Sequence, residues 1–228
     1  DDDFANPAVL AKASLRQAKV KLTSNKGRRV LSDAELTQVL QWLPGSGFSM
    51  SQKQIFKLTL WTGCRTGEVC AAEWQDINLD EGTWHIRAPK NDADRHVQLP
   101  KQAVEFLKQH RLVTDKYLFA SERTGKPILQ KSLSEIKWHL QNPDKVKAGS
   151  YMKPHQLWPK GMDNWVPHDL RRTVRTGLSK MGCRSEVAEA ILGHSRSGIE
   201  GTYDLHGYEV ECKEWLQKWA DRMDLITS

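Results

Sequence analysis

From Leu31 onward, apolar residues return at helical spacing. Leu36, Val39, Leu40 and Leu43 share one face, Leu31 can staple onto Leu36, and Ser32 with Glu35 has capping-box spacing. Pro44-Gly45 then stops the helix. A second helix is predicted over about residues 50–61, with Ile55, Leu58 and Trp61 facing inward. The turn Thr62-Gly63 leads into a short helix carrying Glu68 and Val69. At Thr83 the period changes to two. Trp84-His85-Ile86-Arg87 and Arg95-His96-Val97-Gln98-Leu99 alternate around Lys90-Asn91-Asp92-Ala93-Asp94, which predicts a β-hairpin with Asn/Asp turn chemistry. Helices follow at about 101–110 and 132–140, with a short strand candidate at Tyr117-Leu118-Phe119-Ala120 between them.

Residues 141–166 show no period but carry three prolines, two glycines and Lys145, Lys147, Lys153 and Lys160, which predicts a long loop. A further helix starts near Asp169, buries Leu170, Val174, Leu178 and Met181, and ends at Gly182. Ser185 is placed to cap the next helix, which closes at Gly193. The tail from Glu209 to Met223 is helical again, with Cys212, Trp215, Leu216 and Trp219 on one side. The pattern predicts a mostly α fold with a small antiparallel β-sheet.

Composition narrows the class without deciding it. A chain of 228 residues makes one domain, or one with a small appendage, and its 39% hydrophobic and 27% charged residues are those of a soluble globular protein. No apolar run reaches membrane-span length and no signal-peptide pattern opens the chain. It begins at Asp1 rather than at a methionine, which points to a fragment of a longer protein. A net charge of +6 suits a polyanionic partner only mildly. Its distribution says more: between Phe4 and Ser32 lie seven basic residues and no acidic one, either a solvated linker or a strap along nucleic-acid phosphates. Cys64, Cys70, Cys183 and Cys212 have neither CxxC spacing nor histidine partners at metal-ligand spacing, so free thiols and no structural zinc are expected.

The densest chemistry lies late in the chain. His168-Asp169-Leu170-Arg171, then Leu192-Gly193-His194, then Tyr203 nine residues later put two histidines, an arginine and a tyrosine into a small window. Upstream, Thr62-Gly63-Cys64-Arg65-Thr66-Gly67-Glu68 adds a second arginine with a carboxylate one helical turn on. Phosphodiester transfer without a metal needs fixed positive donors for the non-bridging oxygens and a proton for the leaving alkoxide. A guanidinium is planar, permanently charged and able to grip phosphate with two bonds, so Arg65 and Arg171 suit the first need. His168 and Arg171 stand three apart at a helix start, where a phosphate is welcome. Each residue alone has a plainer reading: a surface cation for Arg65, a cap for His168, a core histidine for His194, a packed aromatic for Tyr203. Their joint order and spacing favour the chemical one.

At this point the sequence resembles the tyrosine recombinases, the phage-integrase family of DNA-cutting and rejoining enzymes. The family's signature is an arginine, a lysine, a His-x-x-Arg, a Leu-Gly-His and a nucleophilic tyrosine. All five occur here in that order, across residues 62–208. The resemblance implies an integrase-type catalytic domain and assigns roles. Tyr203 becomes the nucleophile that forms a 3′-phosphotyrosyl bond; Arg65, Arg171 and His194 clamp the scissile phosphate. His168 accepts or relays the tyrosine's proton, Lys90 protonates the leaving 5′-oxygen, and Glu68 buttresses the cluster. The covalent intermediate stores the bond energy, so neither a cofactor nor a metal is required. Tyr208 and Arg172 are rivals for Tyr203 and Arg171, and the family spacing decides against both. Of the nine tryptophans, only Trp158 and Trp165 are candidates for lying near DNA.

Residues 1–30 read as the remnant of a basic interdomain linker, because family members carry an N-terminal helical domain that completes a clamp around DNA; residues 31–228 read as the catalytic domain with its tail helix. The implied partners are double-stranded DNA attachment sites, a tetramer of the chain on DNA (with a monomer expected for the isolated fragment), and excision or host DNA-bending factors. The implied setting is a bacterial cytoplasm, without membrane contact. The tail helix is expected to dock on a neighbouring protomer rather than only on its own domain. The function implied is site-specific DNA recombination that integrates or excises a prophage or genomic island. Its rivals are a tyrosine-type topoisomerase I and a DNA-binding regulator with a decayed site; the intact set of five argues against decay.

Overall fold

A capping box opens the first helix. The Glu35 amide donates to Ser32 Oγ at 3.3 Å and the Ser32 amide donates to the Glu35 carboxylate at 2.8 Å, which starts α1 (Asp33–Trp42) as its sequence predicts. The computed structural model describes residues 29–87, 94–121, 123–145, 152–194 and 208–227. A second capping box, Ser49 with Gln52, starts α2 (Met50–Thr62). Then come α3 (Thr66–Ala71), the strands β1 (Ile77–Asn78), β2 (Thr83–Ile86) and β3 (Arg95–Gln98), and the helices α4 (Lys101–His110), α5 (Gln130–Gln141), α6 (Pro167–Lys180), α7 (Ser185–Leu192) and α8 (Glu209–Thr227). The fold is mostly helical with a small antiparallel sheet of order β1-β2-β3, as the periodicity predicts. Trp84 faces Val97 and Ile86 faces Arg95 across the predicted hairpin, and the two-residue β1 on its outer edge is an addition. Residues 1–28, which hold nearly all of the predicted linker, lie outside the described residues, as do the hairpin turn with Lys90 and the segment with Tyr203.

Helix α2 is the centre of the core. Ile55, Phe56, Leu58, Thr59, Leu60 and Thr62 are all buried, because α3, α4, α6 and α8 close around the helix. The single inner face drawn from Ile55, Leu58 and Trp61 was too narrow; Trp61 is only half-buried, tilted against Phe106 at 5.8 Å. Three further expectations are corrected. Tyr117–Ala120 is no strand: Tyr117 and Ala120 make isolated bridges to Glu73 and Pro127, while Leu118 and Phe119 point into the core. Ser185 is the first residue of α7 rather than its cap, and its hydroxyl instead accepts from Arg175 at 3.2 Å. Trp165 is 1% exposed, set edge-on against Phe56 at 5.6 Å and tilted against Trp158 at 5.4 Å. Trp158 in turn packs on Trp42 at 5.4 Å and donates to the Met162 carbonyl. Both rings fold the chain after residue 152 back onto α1 and α2, so Trp165 belongs to the core and not to a DNA surface. The four cysteines are free and buried, as expected. No described helix is long and apolar enough to cross a membrane.

Within the single chain the tail helix packs on its own domain. Cys212, Leu216, Trp219, Ala220 and Met223 are buried against α1, α2, α6, α7 and β3, and Trp219 Nε1 donates to the Leu60 carbonyl at 2.8 Å. Gly177 makes this approach possible: a Cβ there would stand 2.2 Å from the Trp219 ring. Gly177→Ala is therefore expected to push Trp219 out and destabilise the domain by about 1–3 kcal/mol, the usual cost of overpacking. Thermal denaturation with Trp219 fluorescence checks this; an unchanged midpoint would mean that the tail yields without loss.

Candidate active site

Three helix ends meet beside the sheet and bring the candidate residues together. α2 stops at Gly63, whose φ of +66° and tight contact with Leu192 and Val174 suit only glycine, and the chain turns at once into α3. Arg65 is the N-cap of α3 rather than a cation on a helix flank. Its amide donates to Glu68 Oε2 at 2.7 Å and its Nη1 to Glu68 Oε1 at 2.8 Å, leaving the guanidinium half-exposed. Glu68 is the hub: Oε2 also accepts from Arg95 Nη2 at 2.7 Å. Burial alone would raise the Glu68 carboxyl, but the charge of Arg95 and the hydrogen bonds from Arg65 outweigh it and hold the group below the usual carboxylate range.

Helix α6 supplies the second arginine. Pro167 occupies its first turn and the Val166 amide donates to Asp169 at 2.9 Å, so the helix starts where His168 and Arg171 can face the cluster. Arg171 is 3% exposed. Its Nη1 donates to the Gly63 carbonyl at 2.7 Å, and its Nη2 donates to the Leu192 carbonyl at 2.6 Å and to His194 Nε2 at 2.9 Å. One side chain thus ties the ends of α2 and α7 together. Burial, with the charge of Arg65 next, lowers the guanidinium to about 10, which leaves it charged at neutral pH. The rival Arg172 turns away and pairs with Asp169 at 2.6 Å.

α7 ends at Gly193, and His194 follows it. Because arginine only donates, His194 Nε2 accepts from Arg171, and Nδ1 carries the proton that goes to Glu189. Glu189 is itself held by Arg175 Nε at 2.7 Å. Arg95, Glu189 and Arg175 were not singled out from the sequence. For Arg95 a signal was present: it shares a strand face with Val97, two residues on, and an arginine on an inward face calls for a buried carboxylate.

His168 sits among positive charges. Burial, then Arg172 and Arg171, pull its imidazole below the ordinary value of 6.5, so the ring is neutral at pH 7 and able to accept a proton. A depressed histidine means that the unfolded chain binds this proton more readily. Stability is thus undiminished above the unfolded value and falls as the pH drops through the lower folded one. The denaturation midpoint should decline below pH 6.5, and His168→Gln should flatten that slope; an identical slope in the variant would assign the titration to another group. Arg65, Glu68, His168, Arg171 and His194 form one cluster, while Lys90 and Tyr203 lie outside the described residues.

Known proteins share this arrangement of elements. Residues 29–208 match the model of the phage integrase family. The chain is 26% identical to tyrosine recombinase XerA of Pyrococcus furiosus over 184 residues, covering 79% of this chain and 57% of that one. It is 24% identical to prophage integrase IntA of Escherichia coli over 190 residues, 82% of this chain and 42% of that one. The chain thus spans about half the length of the curated relatives it matches. Among solved structures, XerA recombinase superposes with a TM-score of 0.54 at 20% identity, covering 94% of this chain and 72% of that one. A lambda integrase dimer bound to a COC′ core site does so with 0.56 at 19%, covering 83% and 67%. With the family model matching most of its length, and with the helical fold of these neighbours, the chain belongs to the phage integrase family.

Proposed function

We propose that this chain is the catalytic part of a site-specific DNA recombinase that cuts and rejoins duplex DNA through a 3′-phosphotyrosyl intermediate. The observation that carries the reading is the convergence of Arg65, Arg171 and His194 on one patch, braced by Glu68. Two guanidiniums supply donors that a pentavalent phosphate needs on its non-bridging oxygens, and His194 adds its N–H once the ring turns from Glu189 toward the phosphate. Tyr203 Oη attacks phosphorus, the bond to the 5′-oxygen breaks, and Lys90 gives that oxygen its proton, leaving a 5′-hydroxyl. His168, neutral at pH 7, takes the phenol's proton. Attack by a 5′-hydroxyl from a second duplex reverses the sequence and completes exchange. A phosphate oxygen that takes the Arg171 N–H now given to His194 Nε2 frees that ring to reorient.

In this reading residues 1–30 are the linker toward a further DNA-clasping domain and residues 31–228 the catalytic domain. The partners are attachment-site duplexes, three further copies of the chain in a synaptic tetramer, and DNA-bending or excision factors, all in a bacterial cytoplasm. Neither cofactor nor metal takes part in the steps above.

The test uses a nicked duplex taken from the chromosomal DNA that flanks the coding sequence, so that the cleaved end diffuses away and the intermediate accumulates. A denaturant-resistant protein–DNA adduct, mapped by mass spectrometry to Tyr203, is the expected result. Tight binding with no adduct would overturn the reading in favour of a regulator. Relaxation of supercoils without joining of two duplexes would replace it by a topoisomerase.

A further inference from the structure

Arg95 joins parts of the site that the sequence keeps far apart. It stands on β3, opposite Ile86 on β2, and follows Lys90 by five residues in the sequence. Its guanidinium donates to Glu68 Oε2 at 2.7 Å and lies 3.4 Å from the Ile191 carbonyl and 3.9 Å from Cys64 Sγ. On its other side lies Gly193. A Cβ added there would meet the Arg95 Cδ and Nε at 2.4 Å and Cζ at 2.7 Å, backbone φ being +64° besides. Gly193 therefore answers two demands at once: the left-handed turn that ends α7, and the space for a guanidinium laid across it. The two anchors are not arbitrary positions. Glu68 holds the Arg65 guanidinium at 2.8 Å, and Gly193 is the residue before His194.

We propose that Arg95 is a positioning residue for strand transfer: clamped between Glu68 and Gly193, it ties the β2–β3 hairpin to the two turns that present Arg65 and His194. The proposal rests on the recombinase reading above and adds a residue to it. Arg95 does not touch the phosphate in this scheme. It keeps Arg65 and His194 in register with each other, because the oxygens they serve belong to one phosphorus and tolerate little relative displacement. Misplacement of reacting groups by about 1 Å costs on the order of 10²-fold in rate. A lysine cannot replace the guanidinium fully, since a single ammonium reaches Glu68 without also spanning Gly193 and the Ile191 carbonyl.

The experiment compares the unaltered chain with Arg95→Ala and Arg95→Lys on the nicked duplex above, following Kd, the single-turnover rate of adduct formation at saturating DNA, and the denaturation midpoint. Arg95→Ala should bind DNA with a Kd within about threefold of normal, since phosphate contacts made elsewhere carry affinity. It should form adduct about 10²-fold more slowly, and Arg95→Lys should fall between. Guanidinium ion, added below denaturing concentrations, should enter the space between Glu68 and Gly193 and restore part of the rate of Arg95→Ala, with no effect on the unaltered chain. A structural ion pair alone predicts a lowered midpoint but a normal rate for the folded fraction, and that result overturns the proposal. So does a rate deficit that guanidinium leaves untouched while Arg95→Lys reacts normally.

Should Arg95→Ala not fold, Arg95→Lys with the same readouts decides. A second arm needs no DNA chemistry: ¹⁵N signals of the Arg65 Nε and the His194 ring should shift in either variant and return in Arg95→Ala with guanidinium. Unmoved signals overturn the positioning role. If instead the unaltered chain forms no adduct while these signals behave as expected, the recombinase reading fails and the positioning of Arg65 and His194 by Arg95 stands.

Discussion

Tyr203→Phe is expected to abolish covalent adducts while leaving DNA affinity nearly intact. The change removes one phenolic oxygen, the atom that would bond to phosphorus, and no charge. Affinity for DNA is carried mainly by cationic contacts with phosphates, which this variant keeps. The rival Tyr208 provides the control. It is half-buried, packs against the hydrophobic core just before α8, lies beneath the Arg184 guanidinium at 5.9 Å, and offers its carbonyl to the Cys212 amide at 2.8 Å. These are the duties of a residue that seats the tail helix, so Tyr208→Phe should still form adduct. Normal adduct formation by Tyr203→Phe, or its loss in Tyr208→Phe, would sink the assignment. Gel mobility shift and denaturing electrophoresis on the same nicked duplex read both properties side by side.

Lys90→Ala should slow cleavage by roughly 10²–10⁴-fold, the usual size of a general-acid contribution. A sulfur in place of the bridging 5′-oxygen distinguishes this role from simple phosphate binding, because a thiolate leaves without a proton. On that substrate the variant should cleave at close to the unaltered rate. Arg171→Ala should stay slow on both substrates, since the charge it neutralises sits on non-bridging oxygens that the sulfur does not relieve. Arg171→Ala should also melt earlier. Its guanidinium serves the Gly63 and Leu192 carbonyls at 2.7 and 2.6 Å, and stranding buried carbonyls costs about 1–3 kcal/mol each. Rates must therefore be taken well below its melting point. If Lys90→Ala remains equally impaired with sulfur, the lysine is only a phosphate contact, and the acid is to be sought first among Lys145, Lys147, Lys153 and Lys160.

Much of this was written in local patterns. The Ser32/Glu35 box, the glycines at 63 and 193, the change of period at Thr83 and the Leu170, Val174, Leu178 stripe are interactions among near neighbours, and each predicted its element. The order Arg65, His168, Arg171, Leu192-Gly193-His194 named the family, because chemistry on a phosphate restricts residue type more tightly than packing does.

What escaped the sequence depended on contacts between distant segments. Trp165 in a lysine-rich, proline-broken stretch looked available to DNA, yet Phe56 and Trp158 take it into the core. The tail's apolar side would suit any groove, and its packing on this domain shows in the close approach of Trp219 to Gly177 and its hydrogen bond to the Leu60 carbonyl. The strand pattern turned Arg95 inward but did not name its partners, Glu68 and Gly193, which lie on either side of it. Helices, strand pairing and family membership were legible in the chain alone, since they follow from short-range periodicity, capping and residue type. Which side chains share a carboxylate, and how deeply a guanidinium is buried, became visible with the packed chain. Those outcomes follow from segments far apart in the chain arriving at one point, as Arg171 does on Gly63 with a separation of 108 and Arg95 on Glu68 with 27.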